Sequence, residues 1–173
     1  MALDVGGDGG WRAWQGRAVA QVGTTRIADL ALSNRSGDYT LVGTLEPQRI
    51  AKGKLKSLTA PRVTVNGGAT FANRRLDGQL SLRSAALAVE ARGVVDLAKS
   101  AFGNVKLEAR LLRPEALFRN MRATDMRLRA ILDGNFRAFR FDYRITAPRF
   151  AFDNTGFEQA RACLLYTSPS PRD

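Results

Sequence analysis

Apolar and polar residues alternate with a period of two along most of this sequence, and few folds are compatible with such a pattern. In "LDGQLSLR", Leu76, Leu80 and Leu82 occupy one parity, and polar or charged residues occupy the other. The segment "NVKLEARL" repeats the alternation with Val105 and Leu107. Because successive side chains of a strand point to opposite faces, each segment is predicted to be a half-buried strand.

The spacing of these segments predicts a continuous antiparallel sheet. About ten of them follow one another at intervals of about 8 to 12 residues. Glycine-containing turns such as "SGD", "NGG" and "DG" separate them and tolerate a positive φ. The apolar/polar alternation is interrupted in three segments, "EPQRIAKGK", "DLAKSAFG" and "LRPEALFRN". We expect short helices near residues 47–52 and 114–120. The predicted fold class is therefore all-β, with one or two short helices.

Composition narrows the functional classes. The sequence has 27 Lys and Arg against 16 Asp and Glu, a formal net charge of +11, and contains no histidine. The charge suits nucleic acid, anionic lipid or an acidic partner. The missing histidine removes the commonest general base and metal ligand, and Asp125, Asp133, Asp142 and Asp153 match no calcium-loop spacing. We expect a protein that is not an enzyme, with no cofactor and no metal site.

The segment "FRAFRFDYRIT" raises the possibility of single-stranded nucleic acid binding, because bases stack on aromatic rings while arginines hold phosphates. Its alternation favours an amphipathic strand instead. Phe139, Phe141 and Ile145 share one parity, and Arg140 and Arg144 share the other. Rings and guanidinium groups are therefore expected on opposite faces, where they cannot hold the same nucleotide.

The two ends of the chain differ in character from its middle. The last eleven residues, "CLLYTSPSPRD", are identified as the translation of a transposase-type sequencing adapter, so we expect residues 163–173 to be non-native and to lack contacts with the sheet. Residues 1–10 include "GGDGG", which lacks the Lys-Ser/Thr of a P-loop, and are expected to be a loop or a ragged fragment start. Residues 11–162 are predicted to form the repetitive sheet, as a segment of a longer protein.

Four stretches within this middle part carry a family resemblance: "GWRAWQGRAVA", "IADLALSNRSGDYTLVGTLEP", "LLRPEALFRNM" and "LRAILDGNFRAFRFDYRITAPRFAFDNTGFEQARA". They resemble the interior of the TamB and AsmA-like bacterial envelope proteins. The resemblance implies an extended, curled antiparallel sheet, a β-taco-like trough, whose hydrophobic groove serves phospholipid transport between inner and outer membranes and outer-membrane protein assembly. It also implies a periplasmic location, an inner-membrane anchor missing from this fragment, and an outer-membrane assembly barrel protein as a partner.

The parity pattern and the resemblance together select candidate groove residues that would face phospholipid acyl chains, while arginines such as Arg127, Arg129, Arg140 and Arg144 face outward or meet head groups at the rim. Two other functions fit parts of the pattern: a basic β-domain that binds single-stranded nucleic acid, and a surface β-solenoid or adhesin segment. The candidate groove residues are Leu80, Leu82, Val105, Leu107, Phe139, Phe141 and Ile145.

Overall fold

The computed structural model describes residues 2–167 and contains one antiparallel sheet of 12 strands that is not closed into a barrel, with 72% of the residues in strands. The prediction of an all-β antiparallel sheet is confirmed. The strands are β1 (Ala2–Gly10), β2 (Ala13–Val22), β3 (Thr25–Arg35), β4 (Asp38–Leu45), β5 (Val63–Ala72), β6 (Arg75–Arg83), β7 (Leu87–Asp96), β8 (Ala101–Leu111), β9 (Met121–Thr124), β10 (Met126–Asn135), β11 (Ala138–Phe152) and β12 (Thr155–Thr167).

Strand order in the sheet follows strand order in the sequence, except near β9. The path runs from β1 to β8 and continues through β10, β11 and β12, while β9 also pairs with β11. Each strand therefore pairs mainly with its sequence neighbour, as short turns between antiparallel strands require. The sheet is a meander.

The helical segments lie where the alternation breaks. Short helices predicted near residues 47–52 and 114–120 appear as the 3-10 turns Pro47–Arg49 and Pro114–Ala116, each with proline in its first turn. The helix α1 (Gly53–Thr59) follows the first turn and lies beyond the predicted range. It is held at one end of the sheet, because the Ser84 hydroxyl in the β6–β7 connection donates a hydrogen bond of 2.5 Å to the Leu58 carbonyl.

Cross-strand register places the apolar residues of successive strands in line. Leu80 pairs with Ala91, which pairs with Leu107, and Leu107 pairs with Ala130. Directly opposed residues of an antiparallel pair point to the same side. One face of the sheet is therefore apolar from strand to strand, and we call it the apolar face; the other is the ion-paired face. The row through Leu80 contains Leu32, Leu41, Gly67, Leu80, Ala91, Leu107, Ala130 and Tyr143.

Burial on the apolar face is graded along the strands. On β5, Val63 and Val65 are 7% and 4% exposed, whereas Phe71 on the same face is 39% exposed. Val63 follows the α1 segment in the chain, so the buried end of the face is the end at which the helix lies. The apolar face is thus covered at one end and open towards the other.

Regular pairing is interrupted across three strands at Pro148, within β11, and we call this irregularity the Pro148 kink. The register places Pro148 opposite Asp125 on one side and opposite Gln159 on the other. Proline has no N–H to donate to a neighbouring strand. Asp125 and Gln159 both take the left-handed conformation, with φ of 49° and 52°. The lost hydrogen bond explains why one long strand opposite β11 divides into β9 and β10 at Asp125.

The expectation of a loop at residues 1–10 is wrong, because Ala2–Gly10 forms β1 and pairs with β2 along its whole length. The glycines of β1 do not prevent its pairing with β2, and some of them allow the two backbones to approach closely. A Cβ on Gly7 would lie 2.8 Å from the Gln15 carbonyl oxygen, and Gly9 has a φ of +128°. The glycine run lowers strand propensity, but the edge of β2 supplies a complete set of backbone partners.

The expectation that residues 163–173 lack contacts with the sheet is wrong for residues 163–167. These form the end of β12, in which Cys163 pairs with Arg144 and Leu164 with Tyr143. Residues 168–173 lie outside the described part of the chain. The reason is that β11 is 15 residues long and offers an unpaired edge, and backbone hydrogen bonds form with any extended segment whatever its origin.

Truncation after Ala162 is therefore expected to lower the free energy of unfolding, because it removes five backbone pairs from the edge of β11. We expect a loss of at least ~2 kcal/mol, since five paired positions of an antiparallel ladder carry about four to six hydrogen bonds and each contributes about 0.5–1.5 kcal/mol net. Urea unfolding monitored by circular dichroism measures the change. An unfolding midpoint equal to that of the full chain would show that the pairing of residues 163–167 contributes nothing.

Candidate functional site

The structure brings all seven candidate groove residues to the apolar face. Leu80 and Leu107 lie in one row through Ala91. Leu82 reaches Ile145 through Val89, Ala109 and Leu128, which are paired in turn. The remaining three complete the set: Val105 pairs with Leu132, Leu132 with Phe141, and Phe139 with Gly134 of the same strand β10.

These side chains are partly exposed rather than packed against a second layer. Leu80 is 36% exposed, and the other six candidates are half-buried. All 12 strands of residues 2–167 belong to one sheet, so this part of the chain supplies no second sheet to cover the face. A single sheet with this much exposed apolar surface has unmet capacity to bury a hydrophobic ligand.

Glycines form the floor of a groove in the middle of the apolar face. A Cβ on Gly78 would lie 2.7 Å from the Cβ of Ala69, and one on Gly93 would lie 2.5 Å from the Cα of Val105. A Cβ on Gly67 would lie 3.2 Å from Cδ1 of Leu80. The absence of side chains at these three positions leaves a cavity of about 290 Å³, whose walls include Leu32, Tyr39, Leu41, Leu76, Leu80, Val95 and Val105.

Aromatic rings extend the apolar face on both sides of this groove. Trp14 and Tyr39 meet edge to face with ring centroids 6.4 Å apart. Phe102 contacts Phe139 at 6.0 Å, and Phe141 lies 5.8 Å from Tyr143. Four of these rings are not among the candidate groove residues: Trp14, Tyr39, Phe102 and Tyr143. Their period-two parity within each strand is the signal that could have found them.

The opposite face carries ion pairs between neighbouring strands. Asp29 on β3 accepts hydrogen bonds from Arg17 on β2 at 2.7 and 2.6 Å, and from Arg26 of its own strand at 2.8 Å. Arg129 donates to Glu108 at 3.0 Å. These groups are solvent-exposed, so each pair contributes little to stability by itself. Their effect is to define which face meets water.

Two carboxyl groups on this face have lowered pKa values. The hydrogen bond from Arg17 lowers the pKa of Asp29, and the hydrogen bond from Arg127 lowers that of Asp125. The same bonds raise the pKa values of both arginines. In each case a bond to the charged form favours ionisation.

The four arginines expected to face away from the groove do so. Arg127 and Arg129 alternate with the apolar-face residues Leu128 and Ala130 on β10, and Arg140 and Arg144 occupy the corresponding parity of β11. Arg140 lies 3.5 Å from Asp133 and Arg127 lies 2.7 Å from Asp125. None of the four is on the face that contains Phe139 and Phe141.

A second apolar cluster, which the alternation pattern does not predict, lies beyond the Pro148 kink. On β11 the aromatic residues change parity there, from odd positions before Pro148 to Phe150 and Phe152 after it. Phe150 stacks on Phe157 with centroids 6.0 Å apart. Phe118 contacts Phe152 at 5.7 Å, and the Lys54 ammonium lies 4.0 Å from the Phe118 ring centroid, which ties α1 to this cluster.

Within residues 2–167, no three His, Cys, Asp or Glu side chains are grouped so that they could hold a metal ion. Among the same residues, no helix has the length and apolar character needed to cross a membrane. The chain shows no similarity to a protein-family model, to a curated protein or to a solved structure.

Acid is expected to weaken the fold through Asp29 and Asp125. Their pKa values in the folded chain lie below the ordinary value of 3.8. A carboxyl group with a lowered folded pKa stabilises the fold above its unfolded pKa, and this contribution is lost as the pH falls through the folded value. The free energy of unfolding should therefore decrease below about pH 4, and Asp29→Asn with Asp125→Asn should reduce that decrease.

Chemical unfolding at a series of pH values measures this effect. Asp77→Asn is the matched control, because Asp77 lies on the same face and takes part in none of the ion pairs found among the described residues. If the acid dependence of the double variant equals that of the unchanged chain, the two ion-paired carboxylates are not its source.

Proposed function

We propose that this chain is a segment of a TamB-like or AsmA-like envelope protein, in which the apolar face forms a trough for phospholipid acyl chains. The observation that carries the proposal is the alignment of the apolar rows across the sheet, with Leu80 at 36% exposure and the rest half-buried. A structural core would be covered by a second layer. The uncovered apolar rows instead favour a surface that binds hydrophobic ligands.

The chemistry of the two faces suits acyl chains. Transfer of a methylene group from water to an apolar surface gains about 0.8 kcal/mol, so a chain lying along the rows would be stabilised over its length. The backbone N–H and C=O groups beneath the rows are paired within the ladder, so the ligand meets few unpaired polar groups. The ion-paired face would keep the same sheet compatible with an aqueous compartment.

The positions of rings and arginines count against single-stranded nucleic acid as the ligand. Phe139 and Phe141 lie on the apolar face, whereas Arg140 and Arg144 lie on the other. A nucleotide stacked on either ring would have its phosphate on the wrong side of the sheet for those arginines. The antiparallel meander likewise gives no support to a β-solenoid, in which successive coils stack through parallel strands.

The remaining parts of the proposal rest on the family resemblance alone. They are a periplasmic location, an inner-membrane anchor elsewhere in a longer protein, participation in outer-membrane protein assembly, and an outer-membrane assembly barrel protein as partner. Upstream coding sequence with a membrane anchor and several hundred residues of similar sheet would support them. A short complete gene would contradict them.

Photo-crosslinking tests which face meets lipid. A photoreactive side chain at Leu107 or Phe141 is expected to form phospholipid adducts, because both residues lie on the apolar face. The matched controls are Lys106 and Arg140, which are their sequence neighbours on the ion-paired face. Mass spectrometry detects the adducts. Equal yields from both faces, or none from either, would rule out the trough.

A pair of charged substitutions tests whether the apolar rows bind acyl chains. Leu107→Asp with Leu132→Asp places carboxylates on two adjacent strands of the apolar face, and carboxylates are costly to bury beside hydrocarbon. Binding of a phospholipid with a fluorescent acyl chain is expected to fall at least about tenfold, equivalent to ~1.4 kcal/mol.

The control for this pair is Lys106→Asp with Ile131→Asp, since these residues face each other on the ion-paired side of the same two strands. Circular dichroism establishes that both double variants retain the sheet. Equal lipid binding by the two folded variants would show that acyl chains do not lie on the apolar rows.

A further inference from the structure

A concave pocket of about 820 Å³ opens on the ion-paired face beside the Pro148 kink. Pro148 and the two left-handed residues opposite it, Asp125 and Gln159, all line it. The pocket lies where Pro148 interrupts the regular pairing of three strands. The polar and charged lining residues are Asp125, Arg127, Arg129, Arg144, Thr146, Gln159, Arg161 and Cys163.

The charge of this pocket distinguishes it from other cavities of the described residues. Four arginines and one carboxylate line it, a net formal charge of +3. A larger cavity of about 1010 Å³ on the same face is lined by Arg75, Arg92 and Lys106 with two aspartates, a net +1. A third of about 590 Å³ contains one arginine and two aspartates, a net −1. The pocket at the kink is therefore the strongly cationic one of the three.

The register makes this concentration of charge unfavourable without a counter-ion. Arg129 and Arg144 are direct cross-strand partners, an arrangement in which like charges repel. Thr146 separates Arg127 from Arg161, because it is paired with both.

Protein carboxylates neutralise only part of this charge. Asp125 binds Arg110 and Arg127, and Glu108 binds Arg129. Within residues 2–167, no carboxylate lies within ion-pair distance of Arg144 or Arg161. Two guanidinium groups on adjacent strands are thus available to an external anion.

We propose that this pocket binds a phosphate group, as a phosphomonoester or a diphosphate. Guanidinium groups bind phosphate oxygens through paired hydrogen bonds, and two of them on adjacent strands can hold one tetrahedral anion. The hydroxyl of Thr146 and the amide of Gln159 add neutral donors. The pocket lies on the face opposite the acyl-chain trough, so this inference stands whether or not the trough binds lipid.

Pyrophosphate is the probe for the test, with the full chain as the protein. Isothermal titration calorimetry should show saturable binding at constant ionic strength. A second readout uses Cys163, which is the only cysteine of the sequence and lines the same pocket. Pyrophosphate is expected to slow alkylation of Cys163 by iodoacetamide several-fold, whereas sodium chloride of equal ionic strength is expected to leave the rate unchanged.

Substitution separates this pocket from the general positive charge. Arg144→Gln with Arg161→Gln is expected to weaken pyrophosphate binding at least about tenfold, since each arginine supplies charge-assisted hydrogen bonds. The control is Arg92→Gln with Lys106→Gln, two facing cations of the same sheet face outside the pocket. Its affinity should change less than about twofold, as expected for weakly coupled surface charges.

Three results would overturn the proposal: no saturable binding, no protection of Cys163, or equal loss of affinity in the two double variants. The protection measurement needs no substitution, so it decides the matter even if a variant fails to fold. Phosphatidylcholine vesicles containing phosphatidic acid identify the source of the phosphate. Vesicle binding displaced by pyrophosphate indicates a lipid head group, whereas pyrophosphate binding without vesicle binding indicates a soluble ligand.

Discussion

Backbone hydrogen bonding between adjacent antiparallel strands is the interaction on which this structure depends. The described chain forms a single layer of strands, and its side chains do not gain the burial that two packed sheets provide. Few apolar residues are buried, and several of them, such as Ala130 and Ala147, are small, while Val63 and Val65 are buried at the end of β5 that follows α1. Cohesion therefore comes from the ladder, from cross-strand side-chain pairs and from the ends where the helical segment packs.

A ladder of this kind must hold its register, because a slip of one residue would exchange the two faces. Apolar rows on one face and ion pairs on the other both favour the observed alignment. A side-chain hydrogen bond stabilises the irregular backbone at the bulge in β8. Asn104 there has a φ of 51°, and its N–H donates to Asp133 on β10 at 2.9 Å. The interruption at Pro148 remains local, since β11 pairs on both sides of it.

The same single-layer construction links the fold to the proposed function. A covering sheet would give more stability but would close the apolar rows to any ligand, whereas an open sheet leaves them accessible along its length. Because the sheet is not closed into a barrel, one edge of β1 and one edge of β12 have no strand partner among the described residues. Such edges can extend the sheet, and the pairing of residues 163–167 with β11 shows how readily an extended segment joins one.

Alternation in the sequence predicts most of the strands, and it predicts the division of each of these strands into an apolar and a polar side. Leu80 with Leu82, or Phe139 with Phe141, must share a face because side-chain alternation is local backbone geometry. The alignment of the strands could not be predicted in this way, because hydrogen bonding between separate segments sets the register that brings Leu80 into line with Leu107 and Arg129 opposite Arg144. The predictions for β1 and for residues 163–167 were wrong for the same reason. The glycine-rich residues of β1 favour a strand only weakly, and residues 163–167 were expected to be non-native. In both segments the edge of a neighbouring strand decides the conformation.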